Sequence, residues 1–339
     1  MTTVDVLLAT YNGAHYLPAL LNSLEAQTFE DWQLIVRDDG SSDGTLDIVK
    51  DWAARIGRTV NVIEDGDAGL GPSGNFSRIL AASQSPYFAF CDQDDIWLPE
   101  KIERLLKAAI CTEKSVGPGV PVLVHCDLKV VKEDLSVIHN SFWDQQDFAY
   151  RNACQGPSGY HVRKSLALRN FVTGCAMLGN ADLRQCMLPV PRDFSMHDWW
   201  AAHSAAQRGT ITKVDDALVL YRQHASNAVG AKTRTFRTMM EKLLNEPAQA
   251  LKRTRRASSM LSRQASIVLE RFAHEMPSDE SRFIQDFSEV GRGLSRLSGW
   301  RLLLWSIRTR QHRALTTLLV FETVSPTVSK PDRRPHGSS

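Results

Sequence analysis

The chain has 339 residues, 43% of them hydrophobic, and a formal net charge of +2. That is enough apolar material for one large core plus an appendage. Six cysteines, Cys91, Cys111, Cys126, Cys154, Cys175 and Cys186, stand far apart with no C-x-x-C pair. This spacing speaks against a zinc site or disulfide framework and for reduced, mostly buried thiols in a cytosolic protein. The start, Met1-Thr-Thr-Val-Asp5, has no basic region leading into an apolar one, and no apolar run is long enough to cross a bilayer. The expected location is cytoplasmic.

The small net charge hides an asymmetry. Residues 1–231 hold 20 Lys/Arg against 28 Asp/Glu, residues 232–313 hold 17 against 8, and residues 314–339 hold 3 against 2. Three regions follow: a mainly acidic domain over 1–231, a basic helical region over 232–325, and a tail over 326–339 with the composition of a disordered segment.

In chain order, Val4 to Ala9 reads as a buried strand, followed by the loop Thr10-Tyr-Asn-Gly13 and a helix from His15 to Gln27. Gln33 to Arg37 is a second strand. It runs into the turn-rich Asp38-Asp-Gly-Ser-Ser-Asp-Gly-Thr45 and a helix over Leu46 to Ala54. A third strand covers 59–63, a flexible loop Gly69 to Gly74, and a helix Asn75 to Ser83. The fourth strand, Tyr87 to Cys91, delivers Asp92-Gln-Asp-Asp-Ile-Trp97. Beyond a helix to Ile110, strands are expected over 120–126 and 128–131, an irregular segment over 140–170, and an apolar stretch Phe171 to Leu178. Met196 to His203 has helical spacing, and 210–214 and 217–221 are strand-like. Further helices are expected between Thr235 and Phe272, broken near Pro247, and from Gly299 to Phe321.

Alternating strands and helices predict β-α-β units in a Rossmann-like, mostly parallel sheet of an α/β fold. Every polar, glycine-bearing segment follows a strand, at the sheet edge where such folds bind ligands. Three carboxylates at the end of a buried strand require compensation: a hard divalent cation carrying its own anionic ligand, or an arrangement in which the stretch merely caps the next helix. No phosphate-binding glycine loop is present, so a bound phosphate would be met by a metal.

Together, Ala9-Thr-Tyr-Asn-Gly13, Arg37 to Thr45, Asp92 to Trp97, His197-Asp-Trp-Trp200 and Leu220-Tyr-Arg-Gln-His224 resemble the inverting glycosyltransferases of family 2, with the GT-A fold. The likeness is strongest to bacterial rhamnosyltransferase-like members and covers roughly residues 3–230. It implies a divalent-metal-dependent enzyme that moves a sugar, L-rhamnose from dTDP-L-rhamnose being the favoured case, to a glycan of surface polysaccharide or O-antigen.

The resemblance also implies roles. Asp39 would accept the imide hydrogen of a uracil or thymine base, lined by Thr10, Tyr11 and Asn12. Asp92 and Gln93 would meet the nucleotide, and Asp94, with Asp92 and His224, would hold Mg2+ or Mn2+. Asp198 would be the general base. Asn75 and Arg78 would reach the donor, while Thr173, Gly174, Trp199, Trp200 and Arg222 would line the sugar or acceptor pocket.

Expected partners are a dTDP- or UDP-sugar and a glycan or lipid-linked acceptor, without nucleic acid. The basic C-terminal helices have two readings: packing or homodimer formation, or peripheral contact with anionic lipid at the inner face of the cell membrane. Two other activities fit less well. An aspartate-nucleophile phosphatase would need Thr or Val at Ile96 and the motif after the first strand. A non-catalytic nucleotide-sugar binding module would be expected to lack the metal-site Asp or the base.

Overall fold

The computed structural model describes residues 3–58, 60–146, 160–224 and 247–289. Its spine is one nine-stranded sheet. Strands β1 (Val4–Thr10), β2 (Trp32–Asp38), β3 (Val60–Val62) and β4 (Tyr87–Asp92) form the first half in the order β3-β2-β1-β4, all parallel. The chain runs outward from β1 to β3 and then returns to the other side of β1. The order therefore reverses between β1 and β4, the switch point at which such sheets bind their ligands.

The second half is mixed. The short β5 (Ile96–Trp97) lies antiparallel to the end of β9 (Thr210–Gln223). β6 (Val122–Lys132) runs parallel to β9 and antiparallel to both β8 (Met177–Asn180) and β7 (Val137–His139). β8 in turn joins the halves by pairing antiparallel with β4.

The sheet is covered on both faces, which is why its strands read as continuous apolar runs rather than alternating ones. Leu7, Phe88 and Phe90 point to one core; Val6, Leu8, Ala89 and Cys91 point to the other. The second core is closed by α1 (Leu17–Glu25), α2 (Thr45–Ile56) and α4 (Lys101–Val116). The first is closed by α3 (Gly71–Ala82), α6 (Tyr160–Leu168) and α8 (His197–Arg208), with the short α5 (Phe142–Gln146) and α7 (Ala181–Met187) at its margins.

Several expected elements differ in extent. The strands expected over 120–126 and 128–131 are the single β6, and those over 210–214 and 217–221 are the single β9. The polar pair Asp215-Asp216 that divides β9 in the sequence is absorbed by a register shift against β6 at Cys126 to Leu128. The expected loop Gly69 to Gly74 is mostly the first turn of α3, with Pro72 in the opening turn where its missing N–H costs nothing. Within the segment read as irregular, α5 and α6 are helical.

Past residue 246 the helices α9 (Pro247–Phe272) and α10 (Ser278–Ser288) lie against the domain. Leu261, Val268, Phe272, Phe283 and Phe287 share one core with Trp200 and Leu166. The Arg208–Glu275 ion pair, 2.6 Å, ties the end of α8 to the turn after α9. The helix expected over 299–321, with its Trp300 and Trp305, and the tail from 326 lie outside the described residues.

Candidate active site

Three loops meet at the carboxyl ends of β1, β2 and β4, and they are tied to one another side chain to backbone. Thr10 Oγ1 donates to Asp38 Oδ1 (2.7 Å), which also accepts from Ser41 Oγ (2.6 Å). The Asn12 amide donates to Ser41 Oγ (2.7 Å), and Asn12 Oδ1 accepts from the Ser42 amide (2.9 Å). Gln93 makes a two-way clasp with Tyr11: its Oε1 accepts the Tyr11 amide and its Nε2 donates to the Tyr11 carbonyl, both at 2.9 Å. Gly13 is required beneath that clasp, since a Cβ there would fall 2.1 Å from Gln93 Oε1. Tyr11 itself stays 56% exposed, leaving its ring free to cover a flat ligand.

Asp39 is buried. Its Oδ1 accepts from the Leu70 amide (2.9 Å) and Arg37 (3.2 Å), and its Oδ2 from the Gly71 amide (2.8 Å). Arg37, wholly buried, holds Asp65 with two bonds of 2.9 Å as well. Asn75 is a brace: it accepts from Arg37 and donates to the carbonyls of Arg37 (3.1 Å) and Thr10 (3.3 Å). Arg78 lies half-exposed over the same loop, bonded to Asp67 at 2.7 Å.

The acidic segment divides. Asp94 turns to the end of β9, where its Oδ2 is 2.8 Å from His224 Nε2. Adjacent ligand atoms on an octahedral cation with ~2.1 Å bonds stand about 3 Å apart. The pair is in hydrogen-bond contact here, and its carboxylate oxygen and imidazole nitrogen could both turn to one divalent ion, a donor set that fits Mn2+ better than the oxygen-preferring Mg2+. Asp92 faces inward, its carboxylate grouped with Asp95 and the Cys175 thiol within 4.8 Å. Burial lifts Asp92 to about 7, helped by repulsion from Asp94 and Asp198; burial likewise lifts Asp95 and the Cys175 thiol well above their ordinary values. A protonated thiol is a poor ligand for a hard cation. Of this inner group, the two carboxylates rather than the thiol could meet a hard cation.

A lysine underlies the cluster. Lys101 is wholly buried, donates from Nζ to the Cys175 carbonyl (2.5 Å) and lies over the Trp97 ring. Burial lowers it to about 8, against the pull of Asp95 and the neighbouring thiols. The sequence carried a signal for it: Lys101 shares a helix face with Ile102, Leu105, Leu106 and Ala109, all buried.

Asp198 occupies the first turn of α8, 8% exposed. Its Oδ2 accepts the Gly174 amide (3.0 Å) and its Oδ1 the Trp199 amide (2.6 Å). Burial raises it to about 6, despite those two donors. Gly174 must be glycine, because a Cβ would fall 2.9 Å from Nε2 of His197. That imidazole is buried, stacked on Phe76 (4.0 Å), and pushed by burial down to about 3, so it is neutral. Thr173 opens the 3-10 turn Gly174–Ala176.

Three expected contacts are corrected. Trp200 is fully buried, with its indole N–H on the Met187 carbonyl (2.8 Å) and its ring by Phe272 (5.5 Å), so it is core and not a sugar platform. Trp199, 7% exposed, donates its indole N–H to the Leu166 carbonyl (2.8 Å), which holds its ring in the core. Arg222 is a strut: its amide donates to Asp95 Oδ1 (3.1 Å), its Nε to the Asp94 carbonyl (2.8 Å) and its Nη1 to the Glu133 carbonyl (3.1 Å).

Known proteins resemble the chain in sequence and in fold. Residues 5–155 match the model of glycosyl transferase family 2. A dTDP-rhamnosyl transferase, RfbG of Shigella flexneri, is 26% identical over 66% of this chain and 74% of its own. A UDP-Glc:alpha-D-GlcNAc-diphosphoundecaprenol beta-1,3-glucosyltransferase, WfgD of Escherichia coli, is 34% identical over 30% of this chain and 38% of its own. Among solved structures, residues 1–349 of Staphylococcus aureus TarS with UDP-GlcNAc superpose with a TM-score of 0.52 at 17% identity, covering 95% of this chain and 90% of that one. The Pyrobaculum calidifontis mannosyltransferase PcManGT with GDP-Man and Mn2+ gives 0.51 at 15% identity, covering 95% and 86%. At those identities the structures speak for the fold alone. Sheet, motif order and matched domain agree: the chain carries a family 2 glycosyltransferase domain of the GT-A fold.

Proposed function

We propose that this glycosyltransferase is inverting and metal-dependent, with Asp198 as its general base and dTDP-L-rhamnose as its donor. The observation that carries the reading is the Asp198 carboxylate: buried, aimed by two backbone amides, and raised to about 6, in the range useful for taking a proton near neutrality. Asp198 would receive the proton of the acceptor hydroxyl as that oxygen bonds to the anomeric carbon. The bond from that carbon to the diphosphate oxygen breaks on the opposite face, which inverts the configuration.

Asp94 and His224 would hold Mg2+ or Mn2+, with Asp92 beside them; once bound, the cation supplies Lewis-acid neutralisation of the departing nucleoside diphosphate. Tyr11, Asp39 and the Gln93 clasp form the base-side wall. The rhamnosyl donor rests on the likeness to the Shigella enzyme and on the motif resemblance. The acceptor is a sugar hydroxyl of a growing surface glycan. Exposed Lys252, Arg255 and Arg256 on α9 support peripheral attachment to anionic lipid, where a lipid-linked acceptor would reside. Among the described residues no helix is long and apolar enough to cross a membrane.

A thermal-shift panel of nucleotide sugars with and without Mn2+ tests the donor reading, because a ligand that binds the native state raises its apparent stability. The largest metal-dependent shift is expected with dTDP-L-rhamnose. A larger shift with another nucleotide sugar overturns the donor assignment, and equal shifts without Mn2+ overturn the metal.

A further inference from the structure

The rim at the end of β9 carries an aromatic contact from a residue outside all five sequence motifs. Tyr16, the residue before α1, lays its ring against the His224 imidazole, with centroids 4.4 Å apart and planes 25° from parallel. Its hydroxyl donates to Glu133 Oε1 (2.9 Å), at the turn between β6 and β7. The Arg222 guanidinium carbon lies 5.1 Å from the Tyr16 ring centroid, and the same guanidinium bonds the Glu133 carbonyl (3.1 Å). Tyr16 is thereby fixed where three elements meet: the start of α1, the β6–β7 turn and the end of β9.

We propose that Tyr16 is a positioning residue for the cation: it fixes the plane of the His224 imidazole so that Nε2 stays on Asp94. The proposal rests on reading His224 as a cation ligand. A histidine ring rotates broadly about its last side-chain bond, so a ligating imidazole needs a neighbour to set its plane. Hydrogen bonds usually do this. Here a ring face, itself pinned through its hydroxyl, lies against the imidazole in addition to its contact with Asp94. The His224 side chain is only 5% exposed and its Nε2 already stands 2.8 Å from Asp94 Oδ2, so the stack holds the donor pair before any cation arrives. Glu133 gains a second meaning: it reaches the cation site through Tyr16 without touching it.

The test is Mn2+ titration of the full chain in the presence of dTDP, with free Mn2+ counted by electron paramagnetic resonance. Tyr16→Ala should weaken Mn2+ binding by about 10- to 100-fold, the range seen when an outer partner of a metal ligand is lost. Tyr16→Phe, which keeps the stack, should stay within about threefold of wild type. In the His224→Ala background, Tyr16→Ala should add nothing. The proposal is overturned if Tyr16→Ala binds Mn2+ like wild type while His224→Ala is weakened, or if Phe falls as far as Ala. Should His224→Ala bind normally, or wild type retain no Mn2+, the reading of His224 as a ligand fails first and the proposal falls with it.

Discussion

Asp5 and Asp198 are both buried aspartates, and their surroundings treat them oppositely. Asp5, near the amino ends of the strands, takes five hydrogen bonds, from Gln33, Ser83 Oγ, the Gln84 amide and both the amide and Oγ of Ser85. Burial pushes its carboxyl up, but the donors, led by Ser85, outweigh it and leave the group below its usual range. Asp198, at the ligand end, has two backbone donors, and burial lifts it to about 6. Asp92 and Asp95 are raised beside it. A buried carboxylate saturated with donors fastens the fold. One left short of them keeps its basicity for a proton or cation that arrives with the substrate.

Breaking that contrast should have consequences of different kinds. The largest is expected from the cation pair: Asp94→Ala, or exhaustive chelation, should reduce transfer roughly a thousandfold, since metal Lewis acidity is worth several kcal/mol. Full turnover after verified metal removal would refute this. Next comes Asp5→Asn, which cannot accept five donors and should cost about 3 kcal/mol in denaturant unfolding, with kinetics per folded molecule unchanged.

Asp198→Asn should act with the opposite sign on stability. Because its folded pKa lies above the ordinary carboxylate range, the folded state holds that proton more tightly than the unfolded one. The stability this group contributes is complete below about pH 4 and is lost as pH rises through about 6. Relative to wild type the variant should therefore gain about 3 kcal/mol of stability in going from pH 4 to pH 8. A relative loss over that range would show that Asp198 is structural like Asp5. The smallest effect is Gln93→Leu. Losing the two-way clasp on Tyr11 should cost about 1 kcal/mol and raise the donor KM more than it lowers kcat, which steady-state kinetics would separate.

The sequence disclosed the ligand end better than its foundations. β1 to β4 are short apolar runs that end in polar loops, and that pattern alone locates the crevice. Asp39, Asp94, Asp198 and His224 sit in local motifs, so their neighbourhood was legible. Lys101 was legible only through the apolar helix face it shares with Ile102 and Leu105, because a lysine opening a helix otherwise looks solvent-facing. Tyr16 was hidden for a different reason: its partners Glu133 and His224 lie over a hundred residues away, and no local spacing encodes such a meeting. Trp200 misled through adjacency, since successive residues on a helix point about 100° apart and Trp200 turns into the core beside Phe272. The C-terminal helices hid their role likewise. Their basic stripe is plain in the composition, but that Phe272 and Phe287 enter the same core as Trp200 is decided by packing.

The central claim is that Asp198 takes the acceptor's proton. The most direct measurement sets donor binding beside transfer in Asp198→Asn, on protein shown to be folded. The account predicts donor affinity within about threefold of wild type and transfer reduced 100- to 10,000-fold, the range for a lost general base. Transfer within tenfold of wild type would contradict it and move the base to another group.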